Sequence, residues 1–159
     1  MTQRLAFAWL LQSLGGYLSA QTVPEYTYQI LHTYPHDRRA YTQGLEYHDG
    51  FLYEGTGLNG ESSLRRVRLE TGEVLQRIPL AKEFFGEGIV VLGDEIAQLT
   101  WRSEVGFVYR LKDFHLLRRF SYSGEGWGLT NDGSESSIHA PWPGRGESRF
   151  TTAPGRLSN

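Results

Sequence analysis

The amino-acid sequence predicts an all-β fold, a β-propeller built from four-stranded blades, and three observations predict it. A unit returns along the chain: "QGLEYHDG" (43–50), "EGIVVLGD" (87–94) and "WGLTNDG" (127–133) each set a glycine and an aliphatic residue ahead of a turn rich in Asp and Gly. The three glycines, Gly44, Gly88 and Gly128, stand 44 and then 40 residues apart, which is propeller-blade spacing. Between them the apolar pattern runs in short stretches with no helical period, and 13% aromatics with 19 glycines favour strands and tight turns.

Arg4 precedes the apolar run "LAFAWLL" and then "QSLGGYLSA", which ends in small residues; residues 1–20 therefore read as a secretory signal peptide cleaved after Ala20. The expectation is a secreted or periplasmic protein with no membrane attachment after cleavage. "YTYQILHTYP" (26–35) looks like the outer strand that, in a closed propeller, completes the last blade, a blade with no counterpart in this sequence. The first blade continues through "FLYEGTG", "SSLRRVRLETG" and "EVLQRIPL", the second through "EIAQLTW", "GFVYRLKD" and "FHLLRRFSY", with "ETGE" and "LKDF" as turns. A third blade starts at Trp127 and stops being legible after Asp132, so the propeller domain spans 21–133 as about two blades and part of a third. Residues 134–159, with three of the six prolines and no strand-length apolar run, read as a disordered tail.

The first strand of every blade lines the central channel, so equivalent residues on those strands converge. The residues ahead of the three glycines are Gln43, Glu87 and Trp127. Glu87 stands between two glycines behind two phenylalanines, in "FFGEG" (84–88), where an apolar setting raises a carboxyl pKa toward the range useful for proton transfer. Trp101, at the end of the next strand, is placed to close over the same mouth.

Other signals carry less. "GTGLNG" (55–60) matches a dinucleotide-loop pattern, but the strand-like "ESSLRRVRLE" behind it supplies no helix N-terminus for a pyrophosphate. His32 and His36 in "HTYPH" would share a metal only on a helix, which Pro35 disfavours. "LRRVR" and "LRRF" read as solvated strand faces. A net charge of -2 gives no sign of a nucleic-acid partner, and the absence of cysteine removes disulfides and thiolate zinc sites.

Taken together, "YPHDRRAYTQGLEY", "LYEGTG", "SSLRRV", "FGEGI", "QLTW" and "GEGWGLTNDG", in this order, resemble the plant-type glutaminyl cyclases, the glutaminyl-peptide cyclotransferases of plants and bacteria. The resemblance covers about residues 25–133 and implies a five-bladed propeller that converts the N-terminal glutamine of a peptide or protein to pyroglutamate with release of ammonia. It implies Glu87 as the proton-transfer residue, Trp101 and Trp127 as parts of the substrate pocket, and Gln43, Tyr41 and Phe85 as binding residues; the family usually has Phe where Tyr41 stands. No catalytic metal or other cofactor is implied, while a structural calcium in the channel is left open. An indole N–H of Trp101 or Trp127 is the expected donor to the oxyanion.

The match stops abruptly at Asp132, which suggests a frameshifted or truncated product, active or inactive; an asparagine, a tryptophan and a lysine that the family carries on later blades have no counterpart. Exposed strand edges are then expected to favour association. The alternative reading is a non-catalytic propeller serving as a peptide-binding or interaction scaffold.

Overall fold

A computed structural model describes residues 23–131, together with the backbone of the strands Ser136–His139 and Ser148–Phe150. Residues 23–31, the described part of a first unit that ends at Leu31, carry no regular secondary structure, and Val23, Tyr26, Tyr28, Ile30 and Leu31 are exposed. The outer strand expected over 26–35 does not form: no described strand pairs with it, and an extended segment without a ladder partner is not a strand.

From His32 onward the chain is a series of antiparallel sheets. The first blade is β1 (Thr42–His48), β2 (Phe51–Thr56), β3 (Ser63–Arg68) and β4 (Val74–Pro79), paired in sequence order. The second is β5 (Gly86–Leu92), β6 (Glu95–Thr100), β7 (Val105–Arg110) and β8 (Leu116–Ser121). A three-stranded third sheet begins with β9 (Gly128–Asn131) and adds β10 (Ser136–His139) and β11 (Ser148–Phe150), so part of the segment read as a disordered tail pairs as strand. Composition missed these strands because they are three and four residues long and owe their order to the ladder started by β9. The rest of 134–159, like residues 1–22, lies outside the described residues.

Two apolar layers separate the sheets. Tyr53 and Leu64 of the first blade meet Ile89, Val91, Ile96, Phe107 and Tyr109 of the second. The opposite face of the second blade, Val90, Ala97, Leu99 and Val108 with Tyr122, packs with Leu129 of β9. This is the period-two alternation of strands buried on both faces, as face-to-face blades require. Accordingly β5 is buried along almost its whole length, whereas β1, covered on one face among the described residues, leaves Leu45 and Tyr47 exposed.

The inner strands approach through their glycines. A methyl at Gly44 would sit 2.6 Å from the Ile89 nitrogen, and one at Gly88 would sit 2.5 Å from the Trp127 carbonyl oxygen. The Gly88 amide donates to that same oxygen at 2.9 Å. The recurring glycine is therefore the contact point of β1, β5 and β9.

Polar groups hold the segment ahead of β1. His36 Nε2 lies 2.9 Å from Oε1 of the buried Glu54, and Asp37 accepts from Arg65 at 3.0 Å. This corrects the reading of "LRRVR" as a solvated face: Arg65 is buried and ion-paired, while Arg66 lies over the Phe51 ring. The carboxylates that stabilise a buried guanidinium come from elsewhere in the chain, and local alternation does not show them.

Candidate active site

Both inner strands bulge at the residue ahead of the glycine. In the first blade Thr42 faces Thr56 and Gly44 faces Gly55, which leaves Gln43 as the extra residue. In the second, Gly86 faces Thr100 and Ile89 faces Gln98, so one extra residue falls at Glu87–Gly88. A bulge turns a side chain out of the regular alternation. Its result here is convergence: Gln43 Nε2 donates to Glu87 Oε2 at 2.9 Å across the blade boundary.

Glu87 is buried, at 6% exposure, and Oε1 has no hydrogen-bond partner among the described residues. Burial pushes its pKa above the ordinary carboxylate value; the Gln43 bond pulls it back in part, and the negative charge of Glu125 raises it further. A carboxyl so placed can exchange a proton nearer neutrality than an exposed one.

Aromatic rings form a wall beside it. Tyr41 meets Phe85 edge-on at 6.1 Å between centroids, and Phe85 meets Trp101 at 5.6 Å. Tyr41 and Phe85 hold equivalent places, since the Gly57 amide donates to the Tyr41 carbonyl and the Trp101 amide to the Phe85 carbonyl. A methyl at Gly57 would lie 2.4 Å from the Phe85 ring, so the glycine makes room for that ring where the second blade has Trp101. The structure thus brings together Gln43, Glu87, Tyr41, Phe85 and Trp101, and puts Trp127 at the blade boundary through its backbone contact with Gly88.

The indole N–H groups, expected as donors to an oxyanion, are both engaged by a carboxylate: Trp101 Nε1 donates to Glu125 Oε2 at 3.0 Å and Trp127 Nε1 to the same oxygen at 3.2 Å. Glu125 escaped the sequence reading although a signal existed: it stands three residues before Gly128, as Tyr41 and Phe85 stand three before Gly44 and Gly88. A cleft of about 330 Å³ opens beside Tyr41, lined also by Arg39, Leu58, Glu61 and Arg77. Among the described residues no group of three or more His, Asp or Glu side chains is placed to hold a metal ion. Nor is any described helix long and apolar enough to cross a membrane.

The sequence model described as glutamine cyclotransferase matches residues 5–138, six residues past the break seen at Asp132. A glutaminyl-peptide cyclotransferase of Arabidopsis thaliana is 39% identical over 107 residues, which cover 66% of this chain and 33% of that protein. The crystal structure of Myxococcus xanthus glutaminyl cyclase superposes with a TM-score of 0.70 at 29% identity, over 82% of this chain and 54% of that one. Kuenenia stuttgartiensis hydrazine synthase, with a TM-score of 0.60 at 13% identity over 78% of this chain and 36% of its own, shares the fold alone. The chain spans about a third of the length of the plant relative and about half of the bacterial structure.

Proposed function

The chain belongs to the glutamine cyclotransferase family, and from that premise we propose that it cyclises the N-terminal glutamine of peptides or proteins to pyroglutamate, with Glu87 as the proton carrier. One observation carries the reading: a buried carboxyl with a raised pKa is held by an amide from the neighbouring blade and flanked by aromatic rings.

The substrate's α-amine attacks the carbon of its own side-chain amide, forming the ring C–N bond. For this the amine must be neutral, and its unperturbed pKa of about 8 makes that form accessible. Glu87 Oε1 takes a proton from the attacking nitrogen and returns it to the departing nitrogen, which leaves as ammonia when its C–N bond breaks. Gln43 fixes Oε2, so the carboxyl presents one oxygen in one orientation. Tyr41, Phe85 and Trp101 supply ring surface that excludes competing water, and the cleft beside Tyr41 offers room for the following peptide residues. Every proton step is given to a side chain of this chain, and no cofactor is called on.

Ammonia release tests the reaction. A Gln-initiated peptide should release ammonia, and the same peptide acetylated at its amine should release none; equal release from both would mark an amidase instead. Export is part of the same proposal: cleavage after Ala20 would make Gln21 the first residue, and a mass measurement on the exported protein checks it.

A further inference from the structure

The cyclisation step leaves one carboxylate of the site without a role. We propose that Glu125 is a positioning residue, holding the Trp101 and Trp127 indoles by their N–H groups so that the two rings meet substrate through their faces, and placing a second negative charge near Glu87. The substrate in this statement rests on the cyclotransferase reading; the clamp itself stands on geometry.

Three donors converge on Glu125. Both indoles donate to Oε2, and Arg102 Nε donates to Oε1 at 3.0 Å while its guanidinium lies 3.8 Å from the centroid of the Trp101 ring. The indoles come from different blades, since Trp101 follows β6 and Trp127 precedes β9. One oxygen thus ties two walls of the mouth across a blade boundary, reinforced by the bond from the Gly126 amide to the Trp101 carbonyl. Arg102 is 66% exposed, so its ion pair contributes little, and the charge-assisted indole bonds are the specific part.

Repeat register makes the acid conspicuous. Tyr41 and Phe85 fill the equivalent position with rings, and packing alone would be served by a third ring. Around the Glu125 carboxylate stand Arg102, the two indoles and Glu87; the preceding Gly124 amide donates to Glu104, and the Tyr122 hydroxyl lies against the adjoining Gly126. The Trp101 N–H, then Arg102 and the Trp127 N–H, hold the Glu125 pKa below its ordinary value, so it is ionised wherever Glu87 titrates. Removing its charge should therefore lower the pKa of Glu87, and removing the Arg102 charge should raise it.

Nuclear magnetic resonance on the full chain tests this without requiring turnover. In the wild type the Trp101 and Trp127 indole N–H signals, assigned from Trp101→Phe and Trp127→Phe, should titrate together with one acidic midpoint. In Glu125→Gln that titration should vanish, and the Glu87 carboxyl signal, assigned by its loss in Glu87→Gln, should show its midpoint at lower pH. Arg102→Met should move the Glu87 midpoint up and remains informative if Glu125→Gln fails to fold. Where peptide turnover is measurable, loosening the rings should raise KM about tenfold and lower kcat less. Indole signals that ignore Glu125, or a Glu87 midpoint moved by neither substitution, would overturn the proposal, whereas absence of turnover with these shifts intact would count against the cyclotransferase reading alone.

Discussion

Burying Glu87 has a thermodynamic consequence as well as a catalytic one. Its folded-state pKa lies above the unfolded value, so between the two the folded chain binds more proton. Stability falls as pH rises through that window, and the loss is complete above the folded-state pKa. Glu87→Gln keeps an oxygen for Gln43 to donate to and removes the ionisation. It should abolish turnover yet raise the Tm at neutral pH, with the gain shrinking to nothing below the ordinary carboxylate range. Melting curves across pH check this, and a Tm lowered equally at all pH values would contradict it. Glu87 and Gln43 were legible because they precede glycines in register. The partner of the indole N–H groups was not, since it depends on side-chain rotamers and on Glu125, whose place in the repeat becomes plain only beside Tyr41 and Phe85.

Among the elements, all eight strands of the first two blades were readable from alternation and turn residues, but the bulges were not. A bulge is a property of two paired strands, and one sequence stretch does not reveal which residue goes unmatched. Arg65 teaches the same lesson, because its acidic partner Asp37 lies 28 residues away. The glycine contacts yield a direct prediction. A methyl at Gly88 would meet the Trp127 carbonyl and the Gly128 Cα, backbone atoms that cannot rotate aside. Gly88→Ala should therefore cost about 1–3 kcal/mol and impair the site. A lowered Tm with weakened Glu87 chemistry is the expected result; Gly93→Ala, in a turn with open space around it, would separate backbone strain from crowding, since only strain applies there.

Across the described residues the blades bury one another's faces, and β1, like β4 and β8, keeps an open face. The expectation of exposed edges is thus joined by an exposed face: Leu45 and Tyr47 are 55% and 60% accessible, and such surface binds apolar partners or dyes. Leu45→Lys with Tyr47→Lys should reduce binding of a hydrophobic reporter dye while leaving the Tm nearly unchanged; undiminished dye fluorescence would place the apolar surface elsewhere. That neighbouring blades bring Glu87, Gln43 and the rings to one mouth is the claim on which the functional reading depends. Mass spectrometry of a Gln-initiated peptide, incubated in parallel with the wild-type chain and with Glu87→Gln, tests it most directly. The predicted result is a product lighter by one ammonia from the wild type and an unaltered peptide from the variant; an unaltered peptide from the wild type, or equal conversion by both, would contradict it.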